Sequence, residues 1–117
     1  DPHQHRLLAD LEEVFHLGQS FFGAQPDLTG EQLYRHVVAL AEERGWVYGN
    51  HHCGHLVGEF PHEDFPGARP ASHLMEGSTE PIRRLDPSGR VAHWILEVHL
   101  VDPTGRYGGF YEELLTL

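Results

Sequence analysis

The sequence predicts an α+β fold, two helices packed on one face of a curved antiparallel sheet, and three observations predict it. Apolar residues recur at helical spacing through most of the stretch before Gly45. Strand-like alternation then appears from Val91 to Asp102. Turn chemistry at Pro103-Thr104-Gly105-Arg106 separates that strand from a second one, so the two form a hairpin. Amphipathic helices need a second layer to cover their apolar faces, and a hairpin sheet supplies it.

The first helix is expected from about His3 to Gly23. Leu7, Leu8, Leu11, Val14, Phe15, Gly18, Phe21 and Phe22 follow i, i+3/i+4, i+7 spacing, with Arg6, Asp10, Glu12, Glu13 and Gln19 mostly opposite. Its aromatics are core residues. A connector containing Pro26 follows, and Thr29 stands three residues before Gln32, the spacing of a capping box that opens a second helix. Leu33, Val37, Leu40 and Ala41 form its buried stripe, and Gly45 is its stop signal. Trp46-Val47-Tyr48 reads as a short strand. From Phe65 to Arg90, Pro66, Pro70, Pro81 and Pro87 with Gly67, Gly77 and Gly89 mark a long irregular segment, of the kind that is often functional, with disorder as the rival reading. In the hairpin, Trp94, Leu96, Val98 and Leu100 share one face, while Ile95, Glu97 and His99 share the other. The return strand is expected from Tyr107 to Leu117, with Glu112 and Glu113 in its middle.

The chain's 117 residues suit a single domain, 1–117, with one modest core. No apolar run approaches the roughly 20 residues of a membrane span. The net charge of -10 argues against nucleic acid or an anionic membrane as partner. The single Cys53 excludes an internal disulfide and fits a reducing, cytoplasmic setting; it reads as a small buried hydrophobe. The opening Asp-Pro-His-Gln-His-Arg is too polar for a signal peptide, and without an initiator Met the chain is expected to be the trailing piece of a longer one.

Eleven His residues exceed any ordinary share, and four of them, His51, His52, His55 and His62, fall within 12 residues. The stretch that holds them, Gly49 to Asp64, also carries Glu59, Glu63, Asp64 and the glycines Gly49, Gly54 and Gly58. Imidazole and carboxylate are the ligands that divalent transition metals take. The hairpin can add Glu97 from one arm and Glu112 or Glu113 from the other. A lone strand Glu or a lone His is usually structural. Three segments converging on one point is a metal constellation, because carboxylates are not buried together without a counter-charge.

The pattern resembles the pita-bread metallopeptidase family of methionine aminopeptidase, aminopeptidase P, prolidase and creatinase. The resemblance rests on Gly54-His55-Leu56-Val57-Gly58 followed seven residues after His55 by His62-Glu63, on Leu96-Glu97-Val98, and on Glu112-Glu113. The order of helix, helix, His motif, Glu strand, Glu strand is that of the family's C-terminal half, so the resemblance implies half of a pita-bread fold. It implies His55, Glu97 and Glu112 as metal ligands, with Glu113 as the alternative to Glu112. It implies Glu97 as base toward an activated water, His62 as the residue that meets the substrate carbonyl, and His51 as a proton relay near the leaving nitrogen of proline-type substrates.

The implied activity is that of a metal-dependent aminopeptidase or dipeptidase, of Xaa-Pro type, acting on a peptide or small amide. The implied cofactors are Mn, Co, Fe or Zn, two ions in the complete site. Two alternatives stand beside it: a creatinase-like hydrolase or lyase on the same scaffold, and an inactive module that binds a protein. The family's two Asp ligands come from its N-terminal half and have no match here, and Val98 stands where the family has Pro. His55, Glu97 and Glu112 all serve one metal in the family, so the chain alone would build a single-metal site. The missing half, or a second chain, would complete it, and a homo-oligomer is expected of a chain that leaves a sheet edge and apolar area uncovered.

Overall fold

A computed structural model describes residues 1–58 and 67–115. The expected α+β architecture is present, two helices with a four-stranded antiparallel sheet. Helix α1 spans Pro2–Ala24 and begins where chemistry favours it: Asp1 accepts from the His3 amide at 2.8 Å, and Pro2 occupies the first turn. Its buried stripe is Leu7, Leu11, Val14, Phe15, Gly18 and Phe22. Leu8 is a correction to the expected stripe. One residue along a helix turns about 100°, which swings Leu8 off the covered arc and leaves it 60% exposed. The helix ends under Arg83, whose guanidinium lies over the Phe22 ring and donates to the Phe22 and Gln25 carbonyls.

Helix α2 spans Gly30–Glu43, with both halves of the Thr29–Gln32 capping box formed and Leu33, Val37, Leu40 and Ala41 buried as expected. Gly45 takes φ +83, the left-handed conformation that ends a helix cheaply only without a side chain. The two helices are tied beyond their apolar contact. Asp10 accepts from the Trp46 indole at 2.7 Å, while Arg6 covers that ring and donates to the Arg44 carbonyl.

The strands are β1 Val47–Tyr48, β2 Gly54–Leu56, β3 Trp94–Val101 and β4 Gly108–Leu114. β4 lies along one edge of β3, pairing Ile95 with Leu114 through Val101 with Gly108. β1 and β2 share the other edge, β1 at Leu100 and Val101, β2 from Trp94 to Leu96. The even positions Trp94, Leu96, Val98 and Leu100 are fully buried. They pack with Leu7, Val14, Phe15 and Val37 of the helices in one core. Tyr111 of β4 meets Phe15 edge-on at 5.1 Å.

The irregular segment after β2 contains no named strand among its described residues, yet its backbone is bonded at many points. Residues 72–74 run antiparallel along β2, through Cys53 N to Leu74 O, Leu74 N to Gly54 O and Leu56 N to Ser72 O. Farther on, Ile82 N donates to Leu28 O and Glu31 N to Ser78 O, which fastens the loop to the entry of α2. No helix among the described residues is long and apolar enough to cross a membrane.

Candidate metal centre

Register decides what stands on the outer face of the sheet. Side chains alternate along a strand, and directly paired residues share a face. His55 pairs with Ile95, Glu97 with Glu112, and His99 with Phe110, so all six lie on the face away from the helices. Glu113 pairs with Leu96, which is buried against the helices, and therefore belongs to the opposite face. Among the described residues, ligand atoms of His55, Glu97 and Glu112 lie within 4.8 Å of one another.

The atomic contacts give this group a polarity. His55 Nδ1 lies 3.3 Å from the Leu56 carbonyl. A carbonyl can only accept, so this contact puts a ring proton on Nδ1 and makes Nε2 the nitrogen that can offer a lone pair to a cation. Nε2 faces Glu97 Oε2 at 3.4 Å. Two acceptors at this separation repel unless a proton or a metal cation lies between them, and Glu112 directly opposite Glu97 adds a second like charge. The donor set of one imidazole and two carboxylates therefore fits a divalent cation.

Glu97 is fixed from its other side. Oε1 sits 3.0 Å from His99 Nε2, and the residue is only 9% exposed. The hydrogen bond from His99 is the largest influence holding its carboxyl below the ordinary range. Burial works against it. An orienting partner behind a ligand is the usual companion of a metal site. The backbone is held as firmly: Glu97 N donates to Cys53 O at 2.8 Å, and the Tyr48 hydroxyl lies 2.9 Å from both the His52 and the Glu97 carbonyls. Burial raises Tyr48 well above the usual phenol range, so its proton stays available for that latch.

Two further imidazoles complete an arc. The His73 ring is 4.9 Å from that of His52 and 6.4 Å from that of His55, and the His52 ring is 6.3 Å from that of His99. Burial lowers both His52 and His73 from the ordinary imidazole value. His73 arrives because residues 72–74 pair with β2 and set it opposite His55. Gly54 makes the pairing on its other side close: at φ +150, its missing Cβ would point into the Ile95 carbonyl oxygen.

Of the residues singled out from sequence, His55, Glu97 and Glu112 come together. His51 is exposed, and it lines a separate cavity of about 520 Å³ with Tyr34, Glu42 and Trp46. His62, with Glu63, lies outside the described residues. Cys53 is fully buried, and burial pushes its thiol far up, out of nucleophilic range. Sequence reasoning assigned no role to His52, His73 or His99. His99 was within reach, since it follows Glu97 by two residues on an alternating strand; His73 carried no local signal. Compared with known proteins, the chain matches no family model, no curated protein and no solved structure.

Proposed function

We propose that this chain carries the ligands of a divalent metal in a hydrolase of the pita-bread type, an aminopeptidase or dipeptidase of Xaa-Pro preference. The observation that carries the reading is Nε2 of His55 set 3.4 Å from Glu97, with Glu112 paired opposite. A core does not need such an arrangement, and a cation relieves it. The order of motifs along the chain supports the family, and the outward siting of the cluster supports a centre that a second half or a second chain would cover.

In this reading His55, Glu97 and Glu112 hold the ion, of manganese, cobalt, iron or zinc. When bound, such an ion lowers the pKa of water and polarises a carbonyl. The chain's own part is positional. His99 keeps one oxygen of Glu97 occupied and leaves the other for the ion or for a proton. Leu56 fixes the His55 ring through its carbonyl, and Tyr48 holds the turn before β2 against β3. His62 remains the proposed contact for the substrate carbonyl.

Counting metal per chain after loading with zinc or manganese and dialysis tests this directly. One ion is expected for the chain alone, falling to none in His55→Ala. Two ions would mean that further ligands come from a second copy. No retained ion would end the metal reading. With metal bound and the upstream half restored, Xaa-Pro dipeptides should be cleaved in preference to other peptides; cleavage of non-peptide amides alone would favour the creatinase-like alternative.

A further inference from the structure

Resting on the metal reading above, the geometry points to His52 as a fixed N–H donor for a carbonyl or carboxylate oxygen of the ligand, beside the ion rather than bound to it. The Gly54 amide donates to His52 Nδ1 at 3.1 Å. A backbone N–H has only a proton to offer, so Nδ1 must be the bare nitrogen and the ring proton must sit on Nε2. A doubly protonated ring is excluded by the same contact. A neutral imidazole ligates a metal through a lone pair, and here Nε2 has none to give. His55, three residues on, carries a proton on Nδ1 through the Leu56 carbonyl, so Nε2 is the nitrogen left to meet the ion. The two rings are thus sorted by their backbone partners into one ligand and one donor.

The Nε2–H of His52 is free for this task. Among the described residues its ring has no other hydrogen bond, and no partly covered side-chain nitrogen or oxygen is both buried and unpaired, so Nε2 reaches solvent. The ring lies 4.9 Å from that of His73, which stands opposite His55, and 6.3 Å from that of His99, which holds Glu97. Its backbone is pinned as well, by the Tyr48 hydroxyl at the His52 carbonyl and by Cys53 N to Leu74 O. A donor held by ring and backbone loses little freedom on meeting an acceptor, which is what makes a preorganised contact effective. The ligand class that such a donor selects next to a cation is an oxygen acid or carbonyl compound, for which free L-proline serves as a product-like probe.

The test combines tautomer and binding. Long-range proton–nitrogen NMR spectra should show His52 with its proton on Nε2 in the metal-free and the zinc-loaded protein, and His55 with its proton on Nδ1 once zinc is bound. L-proline titrated into zinc-loaded protein should move the His52 Nε2 resonance. His52→Phe should weaken that binding ~10-fold, a typical loss for one hydrogen bond to a charged group, with zinc affinity nearly unchanged. His52→Gln, which keeps an N–H donor, should recover most of it. A His52 proton on Nδ1, zinc bound through His52 Nε2, or unchanged L-proline affinity in His52→Phe would overturn the inference. Should zinc fail to bind at all, the metal reading falls, and the metal-free tautomer and L-proline titration still decide the role of His52.

Discussion

The two faces of β3 are built from different kinds of residue. Toward the helices stand Trp94, Leu96, Val98 and Leu100, each with no exposed surface. Toward the outside stand Ile95, Glu97 and His99, opposite Leu114, Glu112 and Phe110 of β4. The inner face is built for cohesion: apolar area is removed from water, and little else is asked of it. The outer face sets carboxylate opposite carboxylate and an imidazole nitrogen against one of them, and leaves Phe110 62% exposed. Such a face costs stability in isolation. What the contrast teaches is that one strand can divide its residues by parity, with the core on the even ones and the candidate ligands on the odd ones.

Breaking the inner face should have the largest effect. Leu96→Ala removes a fully buried side chain beside Gly18 and Val37, and chemical denaturation should show a loss of about 2–5 kcal/mol. Metal affinity should fall only as far as unfolding removes competent protein. The reverse pattern is expected of the outer face, and the adjacent acids of β4 sharpen it. Glu112→Gln should lower zinc affinity by ~100-fold, at or beyond the upper end for losing a ligand's orienting partner, while slightly raising stability by relieving the facing charges. Glu113→Gln, on the helix side, should leave zinc affinity unchanged. Equal effects of the two substitutions in a competition titration would mean that the register across β3 and β4 is misread.

The smallest effect is one of pH and belongs to the histidines. His36 stacks on Phe21 with ring centroids 3.7 Å apart, and burial lowers its pKa from the ordinary 6.5. His52 and His73 are lowered for the same reason. As pH falls below 6.5 the unfolded chain takes up these protons before the folded one, so their contribution is whole above 6.5 and drains away below it. Glu97, lowered below the usual 4.5, acts in the same sense at still lower pH. Metal-free protein should therefore melt at progressively lower temperature on acidification, and His36→Phe should flatten the first part of that slope. A melting temperature that rises between pH 7 and 5.5 would contradict the burial argument.

Much of this was legible from local pattern. The capping box at Thr29 and Gln32, the stripe through Leu33 and Val37, and the parity of β3 are all short-range regularities, and the chain obeys them. Leu8 departed from its expected place because helical spacing marks an apolar arc without stating how wide the covering surface will be. Within the candidate centre, His55 and Glu97 stood out by residue type and context.

The sequence by itself determined the α+β class, the two faces of the central strand and the residue types able to meet a cation. Each follows from periodicity or from side-chain chemistry, and neither depends on distant partners. Only the tertiary structure decided between Glu112 and Glu113, because that choice hangs on which residue of β4 lies across from Glu97. Only it brought in His73, through backbone bonds between residues 72–74 and β2 that no side-chain pattern announces. It also divided His52 from His55, since the tautomer of each is set by a single backbone group, the Gly54 amide in one case and the Leu56 carbonyl in the other.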